Sequence, residues 1–213
     1  MHRLIEPVES RICLAAMLSG GLLTVTGTEA ADVIELDLRD NGELKVEIGT
    51  AEQRFSYAQV ERIVVRALGG SDIVEFNARN LIAKPVQIFA GAGNDSVKGT
   101  DGRDTIFGGG GNDHLDGRTG ADRIFGEGGN DKIEGKGGND FLDGGSGNDW
   151  IQGGAGNDRI FGRGGDDDLE GGSGIDAVHG GTGNDDFLSG TPSAEIVDRA
   201  PDDSTPNGLV TPF

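Results

Sequence analysis

From residue 90 onward the apolar positions follow neither a helical period nor a simple alternation; they return every ninth residue. Steps of nine from Ala90 give AGAGNDSVK, GTDGRDTIF, GGGGNDHLD, GRTGADRIF, GEGGNDKIE, GKGGNDFLD, GGSGNDWIQ, GGAGNDRIF, GRGGDDDLE, GGSGIDAVH and GGTGNDDFL, eleven units without a gap. The eighth place is always apolar: Val97, Ile106, Leu115, Ile124, Ile133, Leu142, Ile151, Ile160, Leu169, Val178 and Phe187. A polar–apolar–polar triplet makes a minimal strand with one side chain facing inward. The six preceding residues, rich in Gly and Asn-Asp, make a turn, because they tolerate positive φ and close backbone approach. Two turns and two strands close a flattened coil of 18 residues. Unit n then stacks on unit n+2, and alternate units build two parallel sheets. The expected fold is all-β, a right-handed parallel β-roll over residues 90–188.

Upstream, the pattern reads as ordinary strands over Leu22–Thr26, Val33–Leu38, Leu44–Ile48, Ile63–Ala67, Ile73–Phe76 and Val86–Phe89. Asp40-Asn41-Gly42 marks a turn between two of them. Residues 21–89 are thus expected to form a β-rich lead-in that caps the open first coil, since an exposed sheet end invites aggregation. Two fragments, beginning at Gly27 and at Gly69, echo the nine-residue pattern. Their irregular spacing from the array makes Asp32 and Asp72 unlikely metal ligands.

Composition alone points elsewhere. Residues 90–188 hold 31 Gly and only 17 Leu, Ile, Val or Phe, a level typical of disordered chains. The periodicity overrides that reading. The formal charge of −19, from 37 acidic against 18 basic residues, argues against nucleic acid and anionic membranes. The single cysteine, Cys13, excludes an internal disulfide and a cysteine-based zinc site. There is no apolar run long enough to span a bilayer as a helix.

The chemistry lies in the invariant places. The fourth is always Gly, from Gly93 to Gly183, which suggests a backbone angle or clearance that a Cβ would spoil. The second admits Thr100, Arg118, Glu127, Lys136 and Arg163, so it is expected to be looser and to point outward. The sixth is always aspartate: Asp95, Asp104, Asp113, Asp122, Asp131, Asp140, Asp149, Asp158, Asp167, Asp176 and Asp185. Stacked turns bring these carboxylates together, where they repel unless a cation lies between them. A cage of carboxylate and carbonyl oxygens suits calcium better than magnesium, which demands an octahedron and keeps its waters. The alternative, that each Asp merely caps its own turn, explains one unit more readily than eleven in register.

The repeat, written G-G-x-G-x-D-x-U-x with U apolar, resembles the calcium-binding nonapeptide of RTX (repeats-in-toxin) proteins; GGSGNDWIQ and GGAGNDRIF match at every specified place. The resemblance implies a β-roll in which the sixth-place aspartates and turn carbonyls ligate Ca²⁺, in modules that are exported. GTDGRDTIF, GRTGADRIF and GRGGDDDLE depart at the second glycine, which implies weaker sites there. Stacking leaves five gaps among the odd units and four among the even, so at most nine ions fit and would bring the charge close to neutral.

The flanks say less. Residues 1–20 carry features of a leader, with Arg3 and Arg11 before a moderately apolar Ile12–Leu23, but Glu6, Glu9 and the Ser19-Gly20-Gly21 break fit poorly. An N-terminal strand is the competing reading. Residues 189–213, acidic with four of six prolines, read as a disordered tail whose Leu209, Val210 and Phe213 could end an export signal. Phe107, Phe125, Phe141 and Phe161 all fall on one sheet, with Trp150 on the other. They are expected either to pack across strands or to form a docking or dimer face. His2, His114 and His179 lie in no catalytic context; His114 and His179 are expected to be solvated. No nucleophile elbow or phosphate loop occurs. The expectation is a secreted or cell-surface, non-enzymatic calcium-binding β-roll that folds on binding Ca²⁺. The alternatives are an accessory or detached folding module of an exported enzyme or toxin, and a disordered acidic buffer.

Overall fold

The computed structural model describes residues 15–77 and 84–188, together with a strand at Glu195–Asp198. Most of the segment expected to be a leader, and most of the expected tail with its export-signal residues, lie outside the described residues.

Two ten-stranded sheets face each other, and the chain alternates between them. Within the array every pairing is parallel and joins residues 18 apart, as in Ile106 with Ile124 and Leu115 with Ile133. The eighth-place side chains point between the sheets and are at most 5% exposed, forming one continuous core with the apolar residues upstream. The coil is thin, and each layer contributes little apolar area.

The β-rich upstream region continues the coil of the array. Strands Leu22–Thr26, Arg62–Gly69 and Val86–Ala92 lie in one sheet, and Val33–Leu38 and Ile73–Phe76 in the other, so the roll runs through them into the array. The irregular spacing comes from insertions. Glu43–Ile48 and Ala51–Ser56 form an antiparallel excursion on Val33–Leu38, followed by the 3-10 turn Tyr57–Gln59. The strand Ala51–Ser56 escaped the sequence pattern because five of its six residues are exposed and only Phe55 packs on the core. At the N-terminal end, Ala15–Ser19 folds back antiparallel on Leu22–Thr26 through Gly20 and Gly21, both with positive φ. The glycines read as a break in an apolar run are a hairpin turn.

The expected aromatic face is a ladder. Phe89, Phe107 and Phe125 stack at 5.0 Å between centroids and 5–8° between planes. Phe141, in the seventh place, reaches diagonally to Phe125 and Phe161 at 5.6 and 5.3 Å with tilted rings. His179 stacks flat on Phe161 at 4.7 Å, so it extends the ladder rather than standing in solvent. His114 is exposed, as expected, and its Nε2 lies 3.2 Å from Glu134. Burial would raise the Glu134 carboxyl, but bonds from Lys136 and His114 hold it down at about 2.

The fourth-place glycines explain their own invariance. At ten of the eleven, from Gly93 to Gly183 with Gly102 the exception, φ lies between 114° and 150°. A Cβ at each of these ten would collide with the fourth-place carbonyl of the preceding coil. The third-place Gly110, by contrast, has no positive φ and faces open space. Gly138→Ala is therefore expected to lose at least about 1–3 kcal/mol from backbone strain alone. Gly110→Ala should stay within about 0.5 kcal/mol. Guanidinium unfolding of both variants in saturating calcium measures the difference.

Candidate metal-binding turns

The turns stack along the two edges of the roll. One edge carries Asp95, Asp113, Asp131, Asp149, Asp167 and Asp185, and the other Asp104, Asp122, Asp140, Asp158 and Asp176, so the structure brings all eleven predicted residues into two columns. None is more than 3% exposed. Except at Asp104, which is first in its column, each Oδ1 accepts the backbone N–H of the aspartate in the coil before, as in Asp95 to Asp113 and Asp122 to Asp140, both at 2.8 Å. Each of these ten carboxylates thus stitches two coils together with one oxygen.

The second oxygen is left over. Oδ2 of Asp95, Asp113, Asp122, Asp131, Asp140, Asp149, Asp158, Asp167 and Asp176 is buried with no hydrogen-bond donor. An unsatisfied buried carboxylate oxygen is costly, so a column of them calls for a counter-charge. The first-place glycines shape the surrounding cradle. The point where a Cβ of Gly108 would stand lies 2.5 Å from Asp113 Oδ2 and 2.9 Å from the Gly126 carbonyl oxygen of the next coil. At Gly135 the same point lies 2.5 Å from Asp140 Oδ2 and 2.6 Å from the Gly153 carbonyl. Among the described residues, no hydrogen bond ends on a fourth-place carbonyl of the array.

No three His, Cys, Asp or Glu side chains converge among the described residues, and the oxygens nearest each Oδ2 are main-chain carbonyls of the glycine turns. An all-oxygen set of carboxylate and carbonyl groups on glycine turns fits a hard cation with flexible coordination, which is the chemistry of calcium. It would supply the positive charge that the buried Oδ2 atoms lack.

Electrostatics points the same way. Burial pushes the carboxyls of Asp113 and Asp149 up to about 7 and that of Asp122 up to about 8, with the neighbouring aspartates adding to the rise. Burial raises Asp158 and Asp167 to about 6, and it also raises Asp95, Asp131 and Asp140. Without a cation, burial favours the protonated over the charged form of each of these groups.

A family model for the RTX calcium-binding nonapeptide repeat matches the chain in four overlapping copies, over residues 89–124, 107–142, 143–178 and 161–191. The array consists of RTX calcium-binding repeats. Several Ca²⁺ sites follow from it, and the β-roll is the architecture that such repeats build. A search of curated proteins finds no match to the chain.

Within this RTX array the second place is not simply loose. Arg118, Glu127, Lys136 and Arg163 adopt left-handed φ of 69–82°, close to the 100–116° of Gly91, Gly109, Gly145, Gly154, Gly172 and Gly181 in the same place. Their departure from glycine leaves the turn intact, and Asp122 and Asp167 keep a donor-free Oδ2. Thr100 is different: it is 2% exposed rather than outward, and it bonds to Asp104 through both its N–H and its hydroxyl. Burial raises Asp104 to about 6 against the pull of these bonds.

The fifth place was missed as a structural position. Asn94, Asn112, Asn130 and Asn148 each accept the fifth-place N–H of the next coil at 2.8–3.0 Å, opposite in direction to the aspartate column. The recurrent Asn-Asp pair was the visible signal for it. Ile175 breaks the asparagine pattern and stands 69% exposed.

The raised carboxyls fix the sign of the pH response. An unfolded aspartate ionises near pH 4, whereas the folded array retains protons up to about pH 6–8. The contribution of these aspartates to metal-free stability is therefore fully present below pH 4 and declines as pH rises toward 8. Protons and calcium compete for the same oxygens. Far-UV circular dichroism in calcium-depleted buffer should show more β-structure at pH 5 than at pH 8. The calcium concentration at half-saturation should rise as pH falls from 8 to 6.

Proposed function

We propose that this chain is an exported, non-enzymatic calcium-binding β-roll whose array orders as it takes up Ca²⁺, serving a structural or adhesive role at a cell surface. The donor-free buried Oδ2 column carries the reading: in the absence of a cation it opposes the very stacking that buries it. The thin apolar core gives each coil little to offset that cost. RTX repeat proteins are typically exported, and extracellular calcium modules commonly bind at about 0.1–1 mM. A chain of this kind stays unfolded at cytosolic calcium and condenses outside. The metal sites are assigned to the sixth-place aspartates with their turn carbonyls.

The runner-up is an accessory or detached module that drives folding of an exported enzyme or toxin. Pull-down with and without calcium separates the two, because recovery of one specific enzyme in calcium supports the module. The face of Phe107, Phe125, Phe141 and Phe161 is read as internal stiffening rather than as a docking or dimer surface, because each ring is half-buried against the next. A Phe125→Ser/Phe161→Ser variant should keep its sedimentation behaviour and lose about 1–3 kcal/mol of stability.

Calcium titration into chelated protein, followed by far-UV circular dichroism and Trp150 fluorescence, tests the main reading. The expected result is one cooperative coil-to-β transition with several ions bound. Asp131→Asn should shift its midpoint to higher calcium. A full β spectrum in excess chelator at neutral pH would defeat the coupling of folding to calcium.

A further inference from the structure

The matched repeats begin at residue 89, but the column of aspartates on the first edge begins earlier. Residues 67–75, ALGGSDIVE, form one more nine-residue unit, with Asp72 in the sixth place and Gly70 in the fourth. The geometry repeats that of the array bond for bond. Asp72 N–H donates to Asp95 Oδ1 at 2.7 Å, and Ser96 N–H to the Asp72 carbonyl at 2.8 Å. Gly70 N–H donates to the Ala92 carbonyl at 2.8 Å, as Gly93 does to Gly110 at 2.7 Å. Leu68, in the second place, has φ of 83°, and Gly70 has φ of 108°. Its first place is alanine, as in the matched unit that begins at Ala90. Asp72 is 1% exposed, and its Oδ2 is buried without a donor.

Residues 27–35, GTEAADVIE, are a further nine-residue unit, yet their turn is built differently. Asp32 Oδ2 accepts the Thr28 N–H at 2.6 Å and the Thr28 hydroxyl at 2.9 Å. The Thr28 hydroxyl also accepts the Ala30 N–H at 3.1 Å. The turn that opens the second edge is its twin: Asp104 Oδ2 accepts the Thr100 N–H at 2.6 Å and the hydroxyl at 3.0 Å, and Gly102 N–H donates to the Thr100 hydroxyl at 3.1 Å. Neither threonine has the left-handed backbone found at the other second places, and Gly102 lacks the positive φ of the other fourth-place glycines. So the first aspartate of each column has its second oxygen satisfied by protein, whereas every sixth-place aspartate from Asp72 to Asp176 other than Asp104 has a buried Oδ2 without a donor.

Resting on the calcium-binding reading above, we infer that a metal site lies between Asp72 and Asp95, one coil before the matched repeats, and that Thr28 and Thr100 close the first turn of each edge to the ion. The total stays at nine, but it is divided as six on the first edge and three on the second rather than five and four. The threonines act as end-stops, supplying donors where the column of cations terminates.

Native mass spectrometry and calorimetry of the full chain in calcium count the ions. Asp72→Asn, which keeps an oxygen to accept the Asp32 N–H, should bind one fewer ion with an unchanged β spectrum. Asp32→Asn should bind as many as the parent. Thr100→Gly, which restores the G-G-D-G turn, should bind one more. An unchanged count in Asp72→Asn that is folded overturns the added site, and an unchanged count in Thr100→Gly overturns the end-stop. If Asp72→Asn fails to fold, Asp72→Glu with a shifted affinity for one ion replaces it, and an unshifted isotherm overturns the site. A parent chain that binds no calcium defeats the underlying function instead.

Discussion

Carboxylates buried one above another along both edges of the roll are the feature on which everything else depends. Beyond Asp104, one oxygen of each is used well, accepting a main-chain N–H from the neighbouring coil and setting the spacing of the stack. From Asp113 to Asp176 the other is buried without a donor. Desolvation and like-charge repulsion act together there, which is why the carboxyls of Asp113, Asp122 and Asp149 rise toward neutrality. Protons relieve the conflict at low pH, and divalent cations relieve it where carboxylates must stay ionised.

The glycine content follows from the same stacking. Fourth-place glycines let the chain turn left-handed where a Cβ would strike the coil below, and first-place glycines leave room for the carboxylate and the next carbonyl. A chain so short of side chains buries little apolar surface per coil, so its layers must be tied by polar bonds and by charge. The fifth-place asparagines and sixth-place aspartates bond in opposite directions between neighbouring coils. Outside one sheet, six rings from Phe89 to His179 add a continuous stacked ladder. Each of these contacts joins only adjacent layers, as in other solenoids, which makes the ends the vulnerable places. The antiparallel strands at Ala15–Ser19 and Glu43–Ser56 sit at the N-terminal end of the two sheets, where the parallel stack begins.

Much of this was legible in the chain. A nine-residue period with one apolar and one acidic invariant place determines the coil length, the two sheets, the inward side chains and the columns of aspartate, because stacking in register admits no other arrangement of them. The match of sites to oxygen-binding metal also needs only residue types. Tertiary structure alone decided where the columns start. Asp72 stacks on Asp95 across 23 residues rather than 18, and the register of the coil is kept on both sides of the extra residues. A linear period loses its phase at such a point, whereas a hydrogen-bonded ladder keeps it. The same holds for Thr100: by sequence it is one more substitution in a variable place, and only its folded backbone turns its hydroxyl onto Asp104. Whether a polar side chain meets solvent, an ion or its own neighbour depends on φ and on what lies one coil away, and neither is written in the order of residues.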